Sequence, residues 1–142
     1  RGPQGRCLWC HAKTAGAVRG NISNACNLSQ SLMLKAYESG EYKTEKAAKY
    51  KILQGRYAKV KEVLATCKYD AYFKALPFNS GYFMCIVLKD GLDGEKIRKI
   101  LLDKYSTGII NLANTFRIAF SSVSEDLIEK LFDNILEACA ES

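Results

Sequence analysis

Two stretches of the 142-residue sequence carry residue types that do chemistry. Near the start, Cys7-Leu8-Trp9-Cys10-His11 has the spacing with which two thioethers and a histidine hold c-type haem. Far along the chain, Phe116-Arg117-Ile118-Ala119-Phe120-Ser121 alternates as a strand does. Phe116, Ile118 and Phe120 fall on one face, and Arg117, Ala119 and Ser121 on the other. A guanidinium among small neighbours has space above it, and its planar fork suits a carboxylate held by two parallel hydrogen bonds. The same spacing also fits an arginine paired with a structural Asp or Glu, or one left on an uncovered face.

The Cys-His cluster completes no metal chemistry. His11 is the only histidine, so a haem iron would need Met33 or Met84 as its sixth ligand, and Met84 sits in an apolar, strand-like run. For zinc, Cys7, Cys10 and His11 offer three ligands, and no second close Cys/His pair completes a tetrahedral site. The expectation is no haem and no metal site. A third candidate is basic: Lys46, Lys49, Lys51, Arg56, Lys59 and Lys61 stand beside only Glu45 and Glu62. Such a stripe can neutralise phosphates. Lysines spread around the polar side of a helix are ordinarily just solvated, however, and no RNA- or DNA-binding motif accompanies these. Neither nucleic acid nor membrane is expected as a partner. The strongest apolar run, FMCIVL at 83–88, is strand-sized, far below the roughly 20 residues that cross a bilayer.

Composition agrees with one soluble globular domain: 48% hydrophobic, 25% charged, with a net charge of +6. Of the cysteines at 7, 10, 26, 67, 85 and 139, the last four are scattered singly among apolar neighbours, where Cys acts as a small hydrophobe. That usage predicts a reducing, cytoplasmic setting. Arg1 and Arg6 are followed by no apolar leader, so no signal peptide is expected.

The elements that must position Arg117 follow from periodicity. Residues 1–16, with Gly2, Pro3, Gly5 and Gly16, read as an irregular tail. Ser23 or Asn24 can cap a helix with Leu28, Leu32 and Ala36 on one face and Gly40 as its stop. Thr44 can cap a longer helix to about Cys67, striped by Tyr50, Leu53, Tyr57, Val60, Leu64 and Cys67. Strands are predicted over 80–89, 107–113 and 116–123. A helix over 93–106 starts at Asp93, with Ile97, Ile100 and Leu101 inward. A terminal amphipathic helix, with Leu127, Leu131, Ile135 and Leu136 inward, follows a capping box at Ser122-x-x-Glu125. The fold class is α+β: a small, three-stranded, largely antiparallel sheet packed with about four helices.

Three segments together resemble a known family. GAVRGNISN, FNSGYFMCIVL and FRIAFSSV with its following helix look like the C-terminal part of class I/II aminotransferases, fold-type I enzymes that use pyridoxal 5′-phosphate (PLP). The resemblance covers residues 13–142 and implies a small domain with its connecting long helix over 17–142, part of an α/β enzyme. It implies that Arg117 binds the α-carboxylate of the amino-acid or 2-oxo-acid substrate. VRGNISN is similar to the Arg-x-x-x-Ser-Asn stretch of aspartate aminotransferases, which implies that Arg19 binds the distal carboxylate of a dicarboxylic substrate across a homodimer. Asn24-Ala25-Cys26 stands where that family has Asn-Pro-Pro. The family's Schiff-base lysine, its Asp at the pyridine nitrogen and its phosphate-binding groups all precede this region. Lys13, the only lysine ahead of the first helix, lacks the Ser/Arg surroundings of that lysine. The resemblance thus implies a fragment whose PLP-binding large domain is missing, with no catalytic or cofactor-binding residue of its own, inactive alone. The alternative reading is a stand-alone α+β module that binds a small molecule or RNA without catalysis.

Overall fold

The computed structural model describes residues 4–23, 26–79 and 81–142, the side chains of 4–8 excepted. In order they form α1 (Gln4–Asn21), α2 (Asn27–Glu38), α3 (Tyr42–Ala65), β1 (Phe73–Ala75), β2 (Met84–Leu88), α4 (Gly94–Tyr105), β3 (Ile110–Leu112), β4 (Thr115–Ile118) and α5 (Ile128–Ala140). Short 3-10 turns at Phe120–Ser122 and Glu125–Leu127 join β4 to α5. The chain divides into two compact units, Arg1–Lys46 and Ala47–Ser142.

The first unit is helical and buries no described side chain. Helix α1 occupies most of the stretch expected to be an irregular tail. Its three glycines, Gly5, Gly16 and Gly20, at about 1 kcal/mol each in a helix interior, are offset by strong helix formers such as Ala12, Lys13, Ala15, Ala17 and Arg19. The absence of an apolar stripe misled the reading, because this helix has no buried side to mark. Helix α2 stops where predicted, with Gly40 in the left-handed region at φ +77°. Its N-cap is Cys26, which makes no side-chain capping bond. Ser23 instead takes φ +61°, and the other predicted cap, Asn24, lies outside the described residues.

The second unit is built on a four-stranded antiparallel sheet in the order β1-β2-β4-β3. The three predicted strands are present but shorter, and β1 was not foreseen. Three residues, Phe73-Lys74-Ala75, are too few to display alternation. Register aligns Phe73 with Leu88, Ile86 with Phe116 and Met84 with Ile118, so one face of the sheet is continuously apolar. Against it pack Val60 and Val63 of α3, Ile97 and Leu101 of α4, and Ile128, Phe132 and Ile135 of α5. Tyr69, Phe73 and Phe132 form an aromatic cluster with centroids 5.5–6.4 Å apart, within the range where such rings attract.

Local chemistry explains the junctions. Asp93 caps α4 as predicted, accepting hydrogen bonds from the Glu95 and Lys96 amides at 2.9 and 3.1 Å. β3 and β4 are joined by Ala113 and Asn114, at φ +49° and +64°, the two positive values that a type I′ hairpin turn requires. The Asn114 side chain accepts from the Gly94 amide at 2.9 Å and donates to the Leu92 carbonyl at 3.1 Å, which ties the hairpin to the start of α4. A Cβ on Gly94 would lie 2.7 Å from the Asn114 Oδ1, so glycine is needed for this approach. At the other end of β4 the predicted strand through Val123 is cut at Ile118. Ala119 bends the chain (φ −89°, ψ 68°) into a 3-10 turn that still delivers Phe120 to the core. The expected capping box at Ser122 does not form; α5 starts at Ile128, and Leu127 stays exposed. On α3, Val60 and Val63 are the buried positions, while Tyr50 and Cys67 of the predicted stripe are exposed.

Phe116 is fully buried at the centre of the sheet. Phe116→Ala is expected to destabilise the chain by about 3–5 kcal/mol, read as a lower denaturation midpoint with an unchanged slope. The thiols should divide by burial. Burial pushes Cys139 up to about 11, whereas exposed Cys26 is lowered by hydrogen bonds from the Ser29 amide and hydroxyl and the Leu28 amide. In the folded chain at about pH 8, iodoacetamide should modify Cys26 first and leave Cys139 intact until denaturant is added, as peptide mapping will report.

Candidate functional site

β4 places Arg117 on the face of the sheet opposite the core. There, Cys85 of β2 and Ile110 of β3 are its direct cross-strand partners. The neighbouring row holds Val87, Thr115 and Leu112. No helix of the described core packs on these positions: Val87, Ile110 and Leu112 are all exposed large hydrophobics. Arg117 itself is half-buried.

The space above Arg117 is not empty, as the reading of small neighbours Ala119 and Ser121 suggested. Phe83, two residues before Cys85 on the same side of the β2 segment, lays its ring 4.4 Å from the guanidinium carbon. A diagonal cross-strand pair of this kind is within reach of an aromatic and a long side chain. The contact lies well inside the cation–π range. Sequence reasoning missed Phe83. The alternation Phe83, Cys85, Val87 was visible, but only the β2–β4 register shows which of these residues faces Arg117.

The hydrogen-bonding state of Arg117 is distinctive. Its Nε is buried without a partner, a situation that costs about 1–3 kcal/mol for an N–H withdrawn from water. Among the described residues, the ion pairs join Lys59 to Glu62, Lys68 to Asp133, Arg98 to Glu95 and Lys104 to Glu141, and none involves Arg117. Of the readings left open by the spacing, a closed internal ion pair is therefore not what the described residues of the sheet contain. Its terminal Nη1 and Nη2, unlike Nε, are not buried orphans and make no hydrogen bond among the described residues.

The segment carrying the ring is pinned on both sides. Met84 begins the β2 ladder opposite Ile118. Before it, the Tyr82 carbonyl accepts from the Ser121 amide at 3.4 Å. The Ser121 carbonyl in turn accepts from the Arg56 guanidinium on α3. Arg56, predicted as one of a solvated basic row, is thus partly buried and structural. Lys59 is bonded to Glu62, and Lys61 lies 5.0 Å from the Phe78 ring centre.

The other predicted residues lie elsewhere. Arg19 is exposed in the last turn of α1, in the first unit, whereas Arg117 belongs to the second. Cys10 and His11 are exposed on α1, and the Cys7 side chain is outside the described residues. Lys13, also on α1, has its ammonium 5.5 Å from the Trp9 ring centre. A lysine on an exposed helix, stacked on a tryptophan, has none of the enclosure or phosphate contacts that PLP needs, so Lys13 does not fit the Schiff-base role.

Two further features of the second unit compete with Arg117 as sites. Asp133 accepts from the Tyr69 hydroxyl at 2.8 Å and from Lys68 at 2.6 Å. Burial, followed by the bond to Asp133, raises the Tyr69 hydroxyl well above its ordinary range. Burial works to raise the Asp133 carboxyl too, yet the bonds from Lys68 and Tyr69 outweigh it and leave the group lowered. All three groups satisfy one another, which makes this a structural lock between the loop before β1 and α5. A cleft of about 310 Å³ lies between the Ser106–Gly108 loop and α5, lined by Val123, Leu127, Lys130, Leu131 and Asn134. Its Asn134 amide donates to the Thr107 hydroxyl at 3.0 Å, and it brings no nucleophile and base together.

No described helix is long and apolar enough to cross a membrane. The chain matches no known protein family and no curated protein. Among solved structures it is similar to an aminotransferase from Anaerococcus prevotii DSM 20548, with a TM-score of 0.70 and 22% sequence identity. The match covers 93% of this chain and 31% of that one. The chain therefore has the fold of part of an aminotransferase, and spans about a third of the solved chain's length.

Proposed function

We propose that this chain is the C-terminal, substrate-carboxylate-binding portion of a PLP-dependent aminotransferase, an enzyme that moves an amino group between an amino acid and a 2-oxo acid. The observation that carries the reading is Arg117: a guanidinium with no carboxylate partner among the described residues, on an uncovered sheet face of an aminotransferase-like fold. Its Nη fork would grip the α-carboxylate and fix the orientation of the Cα–H and Cα–N bonds, the positioning role that removes rotational freedom before chemistry. Lysine would not replace it, since an ammonium lacks the planar pair of donors.

The cofactor belongs, on this proposal, to a large domain outside this chain. PLP supplies the electron sink for the reaction. The exposed Val87, Ile110 and Leu112 around Arg117 are then the surface that such a domain covers. Arg19 is proposed for the distal carboxylate of a dicarboxylic substrate bound by the neighbouring subunit of a homodimer.

Titration of the isotope-labelled chain with pyruvate, followed through its arginine side-chain NMR signals, tests the reading. Saturable shifts at Arg117 are expected, with affinity in the millimolar range or weaker (about −4 kcal/mol at 1 mM). Arg117→Ala should weaken binding by roughly tenfold or more, the worth of a hydrogen-bonded charge pair. Equal pyruvate-induced shifts of the β4 backbone amides in both proteins would refute it. Tight RNA binding with steep salt dependence would support the stand-alone module instead. Incubated with PLP and borohydride, the chain should carry no pyridoxyl label on Lys13.

A further inference from the structure

We infer that Phe83 is the positioning residue for Arg117: its ring holds the guanidinium plane so that the Nη edge alone is presented to an incoming carboxylate. This rests on the reading of Arg117 as the carboxylate-binding group. A guanidinium has two faces and a rim of in-plane N–H donors. At 4.4 Å from the guanidinium carbon, the Phe83 ring takes one of the faces or its margin and needs none of the donors, because its attraction comes from the π quadrupole. The donor nearest the stem, Nε, is buried and unpartnered, so the side-on approach through Nε is closed to a ligand in this arrangement. Nη1 and Nη2 remain, and they point along the guanidinium plane away from the stem.

The ring can act this way because its own position is determined. Phe83 sits between two fixed points, the buried Met84 that opens the β2 ladder and Tyr82, whose carbonyl is bonded to Ser121. Arg56 on α3 fastens Ser121 from the other side. An exposed, flexible arginine would have to surrender side-chain freedom on binding; one already laid against a ring carried on a pinned backbone has surrendered part of it beforehand. Phe83 is 47% exposed and lies outside the buried core, so its contact with Arg117 is separable from core packing.

The test uses the full chain, uniformly labelled, with Arg117 signals assigned through Arg117→Lys and acetate as the probe. Phe83→Leu removes the ring but keeps bulk; Phe83→Trp keeps an aromatic face. In the parent chain the Arg117 Hδ and Hε signals should be displaced upfield by the ring current, a displacement retained by Phe83→Trp and abolished by Phe83→Leu. Acetate affinity should fall roughly 3- to 30-fold in Phe83→Leu, the span of a cation–π contact, and hold in Phe83→Trp. Absence of the upfield displacement, or its persistence in Phe83→Leu, overturns the inference whatever acetate does. So does unchanged acetate affinity once the ring current is gone. If the ring current behaves as expected but acetate binds neither the parent chain nor Arg117→Lys, the stacking stands and the carboxylate reading of Arg117 is what fails. Well-dispersed spectra of the Leu variant establish that it is folded.

Discussion

Much of what this chain can do depends on the antiparallel register between β2 and β4. Because side chains alternate with a period of two, pairing Cys85 with Arg117 commits Met84, Ile86 and Leu88 to the core together with Phe116 and Ile118. It commits Phe83, Cys85 and Val87 to the open face with Arg117. A slip by one residue would exchange the two sets, burying a guanidinium and exposing Phe116 and Ile118, and the apolar contacts of α4 and α5 forbid it. The register is thus enforced from the core side, while its chemical consequence is displayed on the other.

That division of labour explains why the open face can hold an orphaned donor. An unpartnered N–H at Arg117 Nε is tolerated because the stability of the sheet comes from Phe73, Ile86, Phe116, Phe132 and their neighbours, none of which touches the open face. Burial of such side chains contributes about 1.5–3 kcal/mol each, enough to carry one unsatisfied polar group. Charged groups elsewhere on the unit are treated differently. Asp133, Glu95 and Glu141 each have a cationic partner, whereas the buried Nε of Arg117 has none.

The legible parts of the fold were those with long, regular patterning. The α4 cap at Asp93, the buried Ile97 and Leu101, the inward Phe116, Ile118 and Phe120, and the stop at Gly40 all follow from spacing and residue chemistry. What escaped was set by tertiary context or by shortness. β1 is too brief to alternate, α1 has no buried stripe, and the bend at Ala119 preserves the apolar period while abandoning the strand. At the candidate site, Arg117 could be picked out from one strand, but Phe83 could not, since its meeting with Arg117 is a property of two segments more than 30 residues apart. Resemblance to aminotransferases anticipated the fold that the structural comparison bears out, and the roles of Arg117 and Arg19 remain proposals.

The order of the strands has a further effect on behaviour in solution. β1 and β3 are the margins of the sheet, and each presents backbone groups with no neighbouring strand among the described residues to receive them. On β1 the outward residue is Lys74, a charge that discourages another chain from adding alongside. β3 carries no charge there, since its outward side chains are Ile110 and Leu112, and is guarded only by its shortness. Isolated copies that meet edge to edge will therefore find less resistance at β3 than at β1.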